Sequence, residues 1–198
     1  MCAPCEKPEW KGKIKEKAVG AKLVEWGEDN LIPMFNSSDK PLPTTDGPRY
    51  RIDFDYNLGD YFVSVECDEN EHAFLSYPPR CELVRMYRIA LARQVGGIFV
   101  RYNPDSLKIG EVVVKVSKVQ RESILLSILQ HYFQSNMKPS AFMSIIYICY
   151  SQAVTHMHGE LYPYTCTQTF ETQLDYEAFV GSVYPNDCQA KGEWYQRD

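Results

Sequence analysis

The chain predicts an α/β fold, a mixed sheet flanked by helices. Three observations predict it. Stretches with helical periodicity alternate with short apolar, strand-like runs through residues 11–150. Two of those runs, 49–56 and 61–68, are joined by a tight turn. Composition is that of an ordinary globular protein, with 44% apolar and 24% charged residues.

Residues 11–29, KGKIKEKAVGAKLVEWGED, predict an amphipathic helix with Ile14, Ala18, Ala21 and Val24 as its stripe. A strand is expected near 31–35. Residues 36–48 hold three prolines among Ser, Thr, Asp and Gly, which predicts a loop. RYRIDFDY (49–56) and YFVSVECD (61–68) are the two strands of a hairpin. Between them, Asn57 and Gly59 tolerate the left-handed backbone a tight turn needs. Residues 79–95 predict a helix with Leu83, Met86, Tyr87 and Ala90 on one face, stopped by Gly96-Gly97. IFVRYNP (98–104) is a short buried strand ended by Pro104. Residues 116–134 form a second strong helix, with Ile124, Leu125, Ile128, Leu129 and Tyr132 at helical spacing. FMSIIYICY (142–150), β-branched and aromatic, predicts the last strand.

This divides the chain into an arm (1–10), an α/β domain (11–150) and an extension (151–198). The extension is rich in Tyr, Thr and Gln and shows no clear period. It is expected to be an irregular appendage or a segment that binds a protein partner. The longest apolar run, Ala141 to Tyr150, falls far short of the ~20 residues a membrane span needs. No apolar core of a signal peptide is visible in residues 1–20. The expectation is a soluble, intracellular protein with no membrane partner. Seven cysteines at scattered spacing argue against a disulfide framework. Cys2 and Cys5 form a lone Cys-x-x-Cys, too few ligands for a zinc site. A net charge of −5 speaks against a protein that coats DNA by bulk charge.

The chemistry gathers on the hairpin. Asp53 and Asp55 share parity on the first strand, as do Glu66 and Asp68 on the second, so each pair is expected on one side. Carboxylates crowded on one sheet face repel unless a cation neutralises them. Oxygen donors of this kind suit Mg²⁺ or Mn²⁺. The run continues as ECDENEH, and His72 could act as a general base or stabilise a leaving group. The bland alternative is a solvated acidic strand end.

The blocks RIDFDY, VSVECDENEH, CELVRMYRIA and GGIFVRYNPDS, in that order, resemble a family of predicted endonucleases of large DNA viruses and some microbial eukaryotes. That family is similar to the PD-(D/E)xK nuclease superfamily, especially its very-short-patch-repair-like branch. The resemblance spans roughly residues 49–106. It implies a restriction-endonuclease-like sheet and a metal-dependent endonuclease acting on DNA. By the resemblance, Asp53, Glu66 and Asp68 would be metal-binding and catalytic, with His72 following them. Glu82 and Arg85 would face the site from a helix, and Arg101, Asn103 and Asp105 would match the last block. A Glu of the first helix often assists the metal in the superfamily. Glu16 is one candidate and Glu25 is no worse. Arg85 or Arg101 could grip a phosphate as a fork donor, or simply pair with a neighbouring carboxylate.

The chain departs from the pattern in two ways. Asp68 stands where many superfamily members have lysine, with Lys108 and Lys115 as unsupported substitutes. Family members often carry Cys/His-rich repeats before the nuclease domain, where this chain has only MCAPCEKP. His156 and His158 would share a face in a strand and could bind metal, although such pairs are more often just surface. Three functions compete: an active endonuclease, a repurposed nuclease fold serving as a structural subunit of a larger assembly, and a metal-binding module without catalysis.

Overall fold

The computed structural model describes residues 14–42, 50–69, 79–109, 112–134, 139–150 and 164–183. Their elements are α1 (Ile14–Glu28), β1 (Ser37–Leu42), β2 (Tyr50–Asn57), β3 (Tyr61–Cys67), α2 (Pro79–Arg93), β4 (Gly96–Tyr102), β5 (Leu107–Ile109), β6 (Val112–Val114), α3 (Lys118–Phe133), β7 (Met143–Ile148), β8 (Thr165–Phe170) and α4 (Gln173–Val183). Six strands form one mixed sheet in the order β1-β2-β3-β4-β7-β8. Its centre, β3-β4-β7, is parallel, and the outer pairings are antiparallel. β5 and β6 form a separate small hairpin. The α/β expectation, a mixed sheet flanked by helices, therefore holds. Among the described residues, no helix is long and apolar enough to cross a membrane.

Two apolar layers cover the sheet. Val63, Val65, Ile98, Val100, Ile146 and Ile148 pack with Leu23 and Trp26 of α1 and with Leu125, Ile128 and Leu129 of α3. Phe62, Phe99, Met143 and Ile145 pack with Leu83, Met86, Tyr87 and Ala90 of α2 and with Tyr176 and Val180 of α4. Period-two alternation along each strand sends neighbouring residues to opposite layers. Gly97, the second residue of β4, stands where a Cβ would sit 2.2 Å from the Phe62 ring. Gly59 turns the hairpin at φ +86°.

Five expectations need correction. The α1 stripe is Val19, Leu23 and Trp26, while Ile14 is 76% exposed; the larger side chains win the core over the alanines. No strand forms at 31–35, and the proline-rich stretch instead supplies β1. Pro41 is tolerated there because β1 pairs on one side only. Helix α2 ends at Arg93, followed by Gln94, a left-handed residue at φ 55°, and Gly96 already belongs to β4. The extension is not irregular throughout. β8 extends the sheet beyond β7, and α4 sets Tyr176 against Tyr87, ring centroids 5.6 Å apart. The boundary at residue 150 therefore does not divide the sheet from a separate appendage.

Candidate active site

The ladder between β2 and β3 runs from Phe54↔Val65 to Asn57↔Phe62. Beyond Phe54, the Cys67 amide donates to Asp53 Oδ2 (3.0 Å), so a side chain serves as its acceptor. Ile52 joins the layer under α2, whereas Phe54 and Tyr56 join the opposite layer. Simple alternation thus breaks at Asp53. Asp53 and Asp55 do not act as one pair, and Asp55 instead binds Arg93 of α2 at 2.5 Å.

The end of β3 carries the densest chemistry. Glu66 and Asp68 are 2% and 1% exposed. Arg85 of α2 spans Glu66 with Nη1 to Oε1 (3.2 Å) and Nη2 to Oε2 (3.1 Å). The same guanidinium reaches Glu82 Oε2 through Nη2 (3.0 Å) and the Arg51 carbonyl through Nη1 (2.8 Å). Glu82 Oε2 also accepts from Arg101 Nη1 (3.0 Å), and Arg101 Nε donates to Asp68 Oδ2. The result is one continuous chain: Glu66, Arg85, Glu82, Arg101, Asp68. Topology explains it. Glu66 and Arg101 are register partners across the parallel β3–β4 pair, and the first turns of α2 lie over them.

Asn103 is fully buried but holds backbone. Its Nδ2 donates to the Cys149 carbonyl (2.9 Å), and its Oδ1 accepts from the Asp105 amide (2.8 Å). Asp105 pairs with Lys15 on the first turn of α1. That bond to Asp105 is the main cause that raises the Lys15 pKa. Glu16, next along α1, is close enough to Cys67 to add to the rise of its thiol pKa, which is due first to burial and then to Asp53, Asp68 and Glu69. Glu25 instead pairs with Lys22 (2.5 Å), and its side chain is 56% exposed. Of the two candidates, Glu16 lies nearer the site.

Two tyrosines join that the sequence did not mark. Tyr147 is the register partner of Arg101 on β7, and the ring of Tyr150 lies 5.1 Å from its own. Tyr150 donates its hydroxyl to Asp68 Oδ2. The one available signal was their position at the end of an apolar strand beside the carboxylate edge.

Burial pushes the Glu66 carboxyl up to about 7; Arg85 opposes this, and Asp53 adds to it. Asp53 is thus near enough to disfavour the charge of Glu66, the situation a cation relieves. Mg²⁺ is commonly held by one or two carboxylates, with water and phosphate supplying the rest. The Asp53–Glu66 pair fits that small, all-oxygen donor set. No larger cluster is assembled: among the described residues, no group of three His, Cys, Asp or Glu is arranged to hold a metal. Cys2, Cys5, His72, His156 and His158 lie outside the described residues, as does the side chain of Lys108. Lys115 is exposed between β6 and α3. Compared with known proteins, the chain matches no family model, no curated protein and no solved structure.

Proposed function

We propose that this chain is a metal-dependent endonuclease that hydrolyses phosphodiester bonds in DNA on a restriction-endonuclease-like sheet, as the motif resemblance implies. The supporting observation is the convergence of Glu66, Asp68, Glu82, Arg85 and Arg101, drawn from β3, α2 and β4, into one buried network. Burying so many charges costs several kcal/mol per ion unless each is paired. Such clusters of perturbed groups concentrate at functional sites.

Asp53 and Glu66, with Asp68 beside them, would hold Mg²⁺ or Mn²⁺, and Glu16 approaches from α1. A bound ion of this kind supplies an activated water and neutralises charge on the phosphate. Arg85 is the more open of the two arginines, its side chain 14% exposed against 5% for Arg101. Arg85 is therefore the one assigned to the phosphate, where its planar fork matches two oxygens. Arg101 and Glu82 hold Asp68 and Arg85 in place. His72 keeps its assignment as the group that takes or delivers a proton.

The second reading, a non-catalytic subunit, has its own support. Arg85 and Arg101 already neutralise Glu66 and Asp68, an arrangement that serves structure as well as chemistry. The test is incubation of the purified chain with plasmid and single-stranded DNA in Mg²⁺ or Mn²⁺. Cleavage is expected, and it should disappear with EDTA and in both Asp53→Ala and Asp68→Ala. A folded chain that cleaves neither substrate in either metal would replace the nuclease reading with the subunit reading.

A further inference from the structure

Strand β7 ends at Ile148, and the next residue, Cys149, is left-handed at φ 60°. A cysteine pays a conformational cost there that glycine would not. Such conformations persist only where the surroundings over-determine them, and they cluster at functional sites. Here three bonds do so. The Cys149 amide donates to the Tyr164 carbonyl (2.8 Å). The Cys149 carbonyl accepts from Asn103 Nδ2 (2.9 Å). The Asn103 amide donates to the Ile148 carbonyl (3.1 Å). Cys149 is itself fully buried. The turn redirects the chain so that Tyr150 reaches back over the strand ends to Asp68.

We infer that Tyr150 is a positioning residue of this site: its hydroxyl and Arg101 Nε converge on Asp68 Oδ2 and fix the orientation of that carboxylate, and Asn103 acts through Cys149 to deliver the hydroxyl. Two donors on one oxygen, one from β4 and one from just beyond β7, restrict rotation about the last side-chain bond. Asp68 then holds a constant orientation relative to Glu66, two residues earlier. Asn103, a residue of the last motif block, is accordingly the anchor of this turn. Partners of this kind typically contribute 10–100-fold to metal affinity or activity.

The inference rests on the metal-nuclease reading above, and its test separates the two. Mn²⁺ binding is measured by calorimetry on the full chain and on Tyr150→Phe, which preserves the ring. The expected result is a loss of Mn²⁺ affinity of about 10-fold or more. DNA cleavage should lose kcat by a similar factor, with KM for DNA unchanged. Tyr61→Phe is the control, since its hydroxyl donates to the Tyr132 carbonyl (2.6 Å) away from the site. It should lower stability without moving Mn²⁺ affinity. Equal Mn²⁺ binding by Tyr150→Phe and the unaltered chain would overturn the inference alone. An equal loss of affinity in Tyr61→Phe would also overturn it, since the effect would then be general loosening. Failure of the unaltered chain to bind Mn²⁺ would overturn the metal reading, and this inference with it.

Discussion

The same three central strands build two unlike layers. Towards α1 and α3, β3, β4 and β7 present Val63, Val65, Ile98, Val100, Ile146 and Ile148, an aliphatic surface edged by Tyr61, Cys67 and Tyr102. Towards α2 and α4 they present Phe62, Phe99, Met143 and Ile145 at one end. At the other end of that layer stand Glu66, Arg101 and Tyr147, aligned strand to strand. One layer is entirely a product of burial. The other grades from apolar packing to paired charge within a few residues. The difference teaches that the two layers are held by unlike forces. Apolar burial contributes about 25 cal/mol per Å² and is non-directional. The charged end depends on partner for partner matching.

Removing one partner should break the comparison most severely. Arg101→Met deprives both Asp68 and Glu82 of a buried cation and is expected to cost about 3–5 kcal/mol in urea unfolding. A loss under about 1 kcal/mol would mean that the two carboxylates are compensated without it.

The aliphatic layer should respond differently. Leu129→Ala, at a fully buried position of α3, is expected to cost about 2–5 kcal/mol through the cavity it leaves. That loss should be the same in acid and at neutral pH, and Mn²⁺ affinity should stay as it was. A change in Mn²⁺ affinity would show that the two layers are coupled.

The smallest effect is the pH dependence. The Glu66 carboxyl is pushed up to about 7, above its unfolded value near 4.5, chiefly by burial. The folded state therefore binds this proton more tightly than the unfolded state. The contribution is fully present below about 4.5 and is lost as pH rises through about 7, a fall on the order of 1–3 kcal/mol. Urea unfolding at pH 5 and pH 8 reads the fall, and Glu66→Gln should flatten it. An unchanged slope in that variant would assign the proton to another group.

Much of this was legible before any coordinates. The β2–β3 hairpin and helices α2 and α3 follow from period and turn chemistry, because each buries a stripe of large apolar residues. The carboxylate parity of Glu66 and Asp68 also survives, since both join one network. What escaped is physically consistent. β1 and β8 pair on one side only, so their Ser, Thr and Gln residues carry little periodicity. α4 had a signal in Thr172 and Asp175, whose side chains cap each other's amides at 2.8 and 3.2 Å. The break at Asp53 and the turn at Cys149 depend on tertiary contacts and leave no local pattern. The same holds for Glu82 as the bridge between two arginines.

The contact between Tyr150 and Asp68 also has a consequence in time. The two residues stand 82 positions apart, and closing so long a loop comes late and slowly compared with local turns. A chain still emerging during synthesis can already form the β2–β3 hairpin, with Asp53 and Glu66 in place. It cannot yet recruit the phenol, because β7 has not been added beside β4. On the proposed nuclease reading, that order would delay full competence until the sheet is nearly complete, so that partly made molecules would cut little DNA.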